Sequence, residues 1–132
     1  MGYFLEFDVV NNALRIRWQG RVTDKILLEG YSAAGRAAAA HPACRGINDF
    51  SGVTQFDVSN ETIKKLVMMP PVIGRESTLV IVARKDNLYG LARMFSILGE
   101  RNRPHLHVVR NAEEAYTLLE ITSPQFSLVN VT

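Results

Sequence analysis

Residues 3–19, from Tyr3 to Gln19, read YFLEFDVVNNALRIRWQ, and the alternation of apolar and polar side chains on either side of Asn11-Asn12 decides the fold. Residues 3–10 and 13–19 each carry a period of two, the spacing of a strand with one covered face. The asparagine pair between them can supply the positive φ angles of a tight turn. The stretch predicts a β-hairpin. A two-residue turn sets Val10 opposite Ala13, and so Val9 opposite Leu14, Phe7 opposite Ile16 and Leu5 opposite Trp18 on one face. The same register sets Asp8 opposite Arg15 and Glu6 opposite Arg17 on the other, two cross-strand ion pairs that a one-residue slip would destroy. The expectation is a sheet whose first strands turn Leu5, Phe7, Val9, Leu14, Ile16 and Trp18 toward helices and leave the reverse face to water or to a partner.

Outward from the hairpin, Thr23-Asp24 caps a predicted helix to about His41, with Leu27, Tyr31, Ala34 and Ala38 on one face and Pro42 as its stop. A short strand at 45–50 leads into a glycine-containing loop. A helix from about Ser59 follows, with Ile63, Leu66 and Val67 inward and Pro70-Pro71 at its end. Residues 78–83 (TLVIVA) are apolar at every alternating position, the mark of a central strand covered on both sides. Asp86 is the expected cap of a third helix carrying Leu88, Leu91, Ala92, Phe95 and Leu98 at helical spacing. A strand at 105–109 precedes a helix opened by Asn111 with Glu114 three residues on, a variant of the capping box, and ending near Ile121. The order β-β-α-β-α-β-α-β-α predicts an α/β domain with a five-stranded mixed sheet. If strands follow in chain order, right-handed crossovers put the helices mainly on one face. Residues 122–132 form a short apolar tail that either docks on its own fold or adds an edge strand to a second copy.

The 132 residues are 47% hydrophobic and 21% charged, which suits one domain, 1–132, with a core that needs neither disulfide nor metal. Fifteen Lys and Arg against 13 Asp and Glu leave a formal +2, and both halves of the chain share it evenly. There is no basic arm to grip nucleic acid. No apolar run approaches the ~18 residues of a membrane span, and the single cysteine, Cys44, suits a reducing, cytoplasmic setting.

Three stretches together look like one family: GRVTDKILLEGY at 20–31, RGINDFSGVTQFDVSNETI at 45–63 and DNLYGLARMF at 86–95. They resemble the SpoIIAA-like proteins, relatives of the STAS domains (anti-sigma-factor antagonists), over about residues 3–121. The resemblance implies a STAS-like fold, a protein-interaction surface near 51–62 and often no assigned activity. In phosphoregulated STAS proteins the loop after the third strand ends in Asp-Ser-Ser-Gly, whose first serine is phosphorylated. The corresponding run here is Asp57-Val58-Ser59-Asn60, so Val58 holds that position. The family is also compared with CRAL-TRIO lipid carriers, which implies a second function.

The crevice beyond the carboxyl ends of parallel strands is the usual binding place, and it should gather Arg21, Ser51, Asp57, Ser59, Arg84, Asp86 and Tyr89. Ser59 reads either as a phosphate acceptor at a helix N-terminus or as a plain N-cap. Asp49 and Asp57 suit acid-base work only beside a nucleophile or metal, and otherwise serve turns and caps. Tyr89 and Arg93 share a helix face and either hold an anion or stack on one another. His105 and His107 point to one side of a strand, a two-ligand seed that lacks the third ligand of a zinc site. The run Leu66 to Gly74 with Met68-Met69 and Pro70-Pro71 is either an adaptable lid over an apolar ligand or a helix end whose methionines fill the core. The reading is a non-enzymatic, cofactor-free module. It docks a protein partner, or a second copy of itself, through 51–66 with Ser51, Asp57, Ser59 and Ile63, flanked by Arg84, Tyr89 and Arg93. The alternative is a small carrier holding an apolar molecule against Met68 and its neighbours.

Overall fold

A computed structural model describes residues 2–129. The hairpin forms, β1 (Tyr3–Asp8) against β2 (Ala13–Thr23), and the chain continues through α1 (Asp24–Ala39), β3 (Arg45–Asp57), α2 (Asn60–Met68), β4 (Leu79–Val82), α3 (Asp86–Leu98), β5 (Leu106–Val109), α4 (Ala112–Leu118) and β6 (Ser127–Leu128). The sheet is mixed, in the order β5-β4-β3-β2-β1-β6. Its strands β2 to β5 run parallel, and β1 is antiparallel to both its neighbours. The sheet has six strands rather than five because the tail folds back on its own chain. Glu6 pairs with Leu128 and Phe7 with Ser127, and the Val129 N–H donates to the Leu5 carbonyl at 2.9 Å. The last three residues of the 122–132 tail lie outside the described residues.

The hairpin register differs from the expected one by two residues. Phe7 faces Leu14, Leu5 faces Ile16 and Tyr3 faces Trp18, so the connection is the four residues 9–12. Asp8 explains the shift. Its fully buried carboxylate accepts from the Asn11 N–H at 2.9 Å, the Asn11 side-chain amide at 2.7 Å and the Gln125 N–H at 2.8 Å. A carboxylate that collects local donors closes a wider loop, with Asn12 at φ 50. Asp8 therefore does not pair with Arg15, and Val9, expected inside, is 78% exposed in the loop beside Val10. A two-residue shift leaves every side chain on its face. Leu5, Phe7, Leu14, Ile16 and Trp18 still enter the core, and Glu6 clamps both Arg15 and Arg17 at 2.9 and 2.7 Å.

The reverse face is not left wet. α4 lays Ala115 and Leu119 against Ala13, Ile47, Val80 and Val82. Beyond it the Arg15 guanidinium sits 4.0 Å from the Phe126 ring and donates to the Tyr116 hydroxyl. The even positions of β4 were apolar for this reason. The other face carries α1, α2 and α3.

Thr23, Ser59 and Asn111 cap α1, α2 and α4 as their residue types predict, and Asn111 with Glu114 completes the capping box. Asp86 does not cap α3. Lys85 holds that position without a side-chain bond. β3 runs to Asp57, so residues 51–57, expected as a loop, form a strand beside Gln19–Thr23. Register shifts around Trp18 and at Gly20, whose φ is +68, let the pair bend while Val22 and Val53 stay buried. Leu98, expected inward, is 59% exposed.

Burial alone would raise the carboxyls of Glu6 and Asp8, but hydrogen bonds outweigh it. Arg17 and Arg15 hold Glu6 below its ordinary 4.5, and the Gln125 and Asn11 donors hold Asp8 below 3.8. A lowered folded-state value means the stabilisation is complete above the ordinary one and disappears as pH falls through the folded one. Urea unfolding between about pH 5 and pH 2.5 should show stability falling with acidity, and Glu6→Gln should flatten part of that slope. An unchanged slope would exclude the clamp. Asp8→Ala leaves the Asn11 and Gln125 N–H groups unpaired and should cost about 2–3 kcal/mol, with faster amide exchange at Gln125.

Candidate functional site

Beneath α1, α2 and α3 the sheet does not fill its own space. A cavity of about 110 Å³ lies between these helices and strands β2, β3 and β4. Local sequence explains it. Ala34 and Ala92 are short where the walls of α1 and α3 meet it, and α2 has only nine residues before Met69 leaves the helix. Ile63 and Leu66 of α2, with Val72 and Ile73 of the segment after it, close one side. Pro70 and Pro71 prevent the helix from continuing across the gap.

The floor is aromatic. Trp18 stacks on Phe50 with centroids 5.6 Å apart, and Phe50 meets Phe56 edge-on at 5.9 Å. Gly30 of α1 seats the indole, for a Cβ there would lie 2.4 Å from Trp18 Cη2.

Three lining residues bring polar side-chain groups besides the indole N–H: Asn48, Tyr31 and Arg103. Asn48 Oδ1 accepts from Trp18 Nε1 at 2.5 Å. Arg103, in the turn between α3 and β5, reaches under the end of α2. It donates to the carbonyls of Leu66, Val67 and Met69 and to the Tyr31 hydroxyl, and its guanidinium lies 5.0 Å from the Phe95 ring. A cation at a helix C-terminus meets the negative end of the dipole.

Of the residues expected to form a site, only Ile63 borders this cavity. Asp57, Ser59, Arg84 and Tyr89 serve two networks at the carboxyl ends of the strands. In one, Arg21 pairs with Asp57 at 2.5 Å, and the Ser59 N–H donates to Asp24 at 2.7 Å while the Ser59 hydroxyl accepts from the Thr62 N–H. The Ser59 N–H holds the Asp24 carboxyl below its ordinary value. In the other, Arg110 pairs with Asp86 at 2.7 Å, donates to the Arg84 carbonyl and stacks 3.8 Å over Tyr89. Tyr89 thus stacks with Arg110 rather than Arg93, which is exposed. Asp49 accepts from the Ser51 N–H at 2.9 Å, a turn-type bond made within β3. Met68 is 79% exposed and stands outside the cavity, and only Met69 packs on the core. Among the described residues no three His, Cys, Asp or Glu side chains converge as metal ligands. Burial pushes the Cys44 thiol up, so it stays protonated.

Sequence reasoning missed Asn48 and Arg103. Asn48 left a signal, a polar residue on the Trp18 face of a strand. Arg103 left none, because Glu100-Arg101-Asn102-Arg103 reads as a solvated turn.

Compared with models of known families, with curated proteins and with solved structures, the chain matches none. Its function must therefore be argued from the cavity.

Gly30→Ala tests how tightly the indole is held. Alanine favours the helix by about 1 kcal/mol, but the clash with Trp18 costs about 1–3 kcal/mol. The expected result is a net loss and a shift in the emission of Trp18, the sole tryptophan. A stabilised variant with unaltered emission would show that the ring has slack.

Proposed function

We propose that this protein is a non-catalytic binding module that holds a small apolar molecule between its sheet and helices α1 to α3. The cavity carries this reading. Concave, mostly apolar space with a few convergent polar groups is the ordinary form of a small-molecule site. At about 110 Å³ it is of the order of the ~150 Å³ engineered apolar cavity that admits benzene. Val72 and Ile73 of the segment after α2 close one wall.

We also retain kinship with the SpoIIAA-like and STAS domains as part of the proposal. The three residue matches support it, together with the opening hairpin followed by β-α units. Under that kinship the second reading is a docking module for a protein partner or a second copy. One observation favours it: Met94, Ile97 and Leu98 recur at helical spacing on α3 and are exposed, as is Met68. Apolar groups at successive positions of one helix face are more than the scattered exposure of an ordinary surface.

Native mass spectrometry of freshly purified protein distinguishes the two. The carrier reading expects a ligand mass above that of the bare chain, released on denaturation and absent from Ala34→Leu, which fills the cavity and is checked for folding by thermal unfolding. A bare dimer would support docking instead. A bare chain whose Trp18 emission responds to neither added 1-hexanol nor added hexanoate would overturn the carrier reading.

A further inference from the structure

The cavity wall contains one formal charge, and that charge has no counterion. Arg103 is 5% exposed, and among the described residues it forms no ion pair. A guanidinium removed from water requires compensation, and what it has is uncharged: three carbonyls, the Tyr31 hydroxyl and the Phe95 ring. Its bonds to the carbonyls of Leu66, Val67 and Met69 measure 3.2, 3.4 and 3.3 Å, longer than the ~2.9 Å of a well-made N–H···O bond. The end of a helix supplies about half a negative charge. The balance is unfilled.

Donors are also left over. Arginine carries five N–H groups, and among the described residues nothing accepts from Arg103 Nε or from Asn48 Nδ2. Every fully buried polar side-chain atom there has a partner, so these two nitrogens are not fully buried. Asn48 borders the cavity, and Arg103 borders it and a pocket of about 10 Å³, room for a single water. The Tyr31 hydroxyl accepts from Arg103, and its own proton has the Pro70 carbonyl only at 3.5 Å. It too lacks a good acceptor.

We propose that the ligand is an apolar monocarboxylate. Its hydrocarbon body lies on the Trp18-Phe50 floor, and its carboxylate meets Arg103 with the Tyr31 hydroxyl as a second donor. This deepens the carrier reading and rests on it. A carboxylate fits the planar fork of a guanidinium and makes shorter, stronger bonds than a carbonyl. One negative charge matches one guanidinium. A phosphate dianion would leave a charge unbalanced, because the remaining lining side chains are neutral. An alcohol would leave the guanidinium as it is. The volume suits a body of about six carbons or one aromatic ring.

Titration calorimetry of the intact protein with hexanoate, 1-hexanol and hexyl phosphate at neutral pH tests the inference. Hexanoate is expected to bind at least about tenfold more tightly than 1-hexanol. It should also shift the side-chain Nε–Hε resonance that Arg103→Lys removes. Arg103→Met should abolish the preference while retaining 1-hexanol. If that variant fails to fold, the comparison in the unaltered protein still decides. Equal or tighter binding of 1-hexanol, or tighter binding of hexyl phosphate, overturns the monocarboxylate and leaves the cavity reading standing. Binding of none of the three overturns both.

Discussion

The two faces of the β1–β2 ribbon are chemically unlike, and the rest of the architecture depends on that difference. One side presents Leu5, Phe7, Leu14, Ile16 and Trp18 to the helical layer. The other holds Glu6 between two arginines and Asp8 beneath its own loop. Side chains alternate along a strand, so a shift of β2 by one residue would bury Arg15 and Arg17 and expose the Trp18 indole. The ribbon has one usable orientation. The parallel strands β3, β4 and β5 extend from it in chain order, and the handedness of their crossovers sends α1, α2 and α3 to the oily side. The charged side receives the element without a crossover, α4, and then the tail.

That sidedness was legible because it depends only on period and residue type. The register was not, for the turn was read from Asn11-Asn12 while the loop is set by Asp8, whose donors include Gln125 at the far end of the chain. A contact of that sequence separation has no local signature. The sixth strand was hidden for the same reason: Ser127 and Leu128 are too few to show a period. Caps fared better because they are local. Thr23, Ser59 and Asn111 each bond an N–H three residues on, whereas Asp86 stands one residue inside α3, where its carboxylate meets Arg110 instead.

The candidate site was the least legible part. Residues chosen for their chemistry, such as Arg21, Asp57, Ser59, Asp86 and Tyr89, proved to be one another's partners, or those of Asp24 and Arg110, at the carboxyl ends of the strands. The cavity is a property of volume, and volume depends on which small residues face one another across layers. Ala34 and Ala92 are distant in sequence and unremarkable in their helices. Arg103 stands in a run of polar residues whose neighbours are all more exposed, and only the end of α2 above it makes it an interior cation.

Concave apolar space carries an energetic argument of its own. An enclosed void of about 110 Å³ would cost roughly 2–3 kcal/mol at about 24 cal/mol per Å³, a ceiling for a cavity whose lining residues Tyr31, Phe50, Phe56, Leu91 and Phe95 are only half-buried. That is a substantial part of the 5–15 kcal/mol by which a domain of this kind is usually stable. Water relieves little of it, since a water requires two to four polar partners and this wall offers them only near Arg103, Tyr31 and Asn48. Ala34 is short where α1 meets this space, and Arg103 puts a charge at its wall. The proposed occupant would answer both features, with an apolar body that fills the volume and an anionic end that meets the guanidinium. A ligand that binds only the folded chain returns that free energy as stability, in proportion to the logarithm of its concentration over its dissociation constant. In the proposed carrier, folding and ligand capture would be linked through the same few residues.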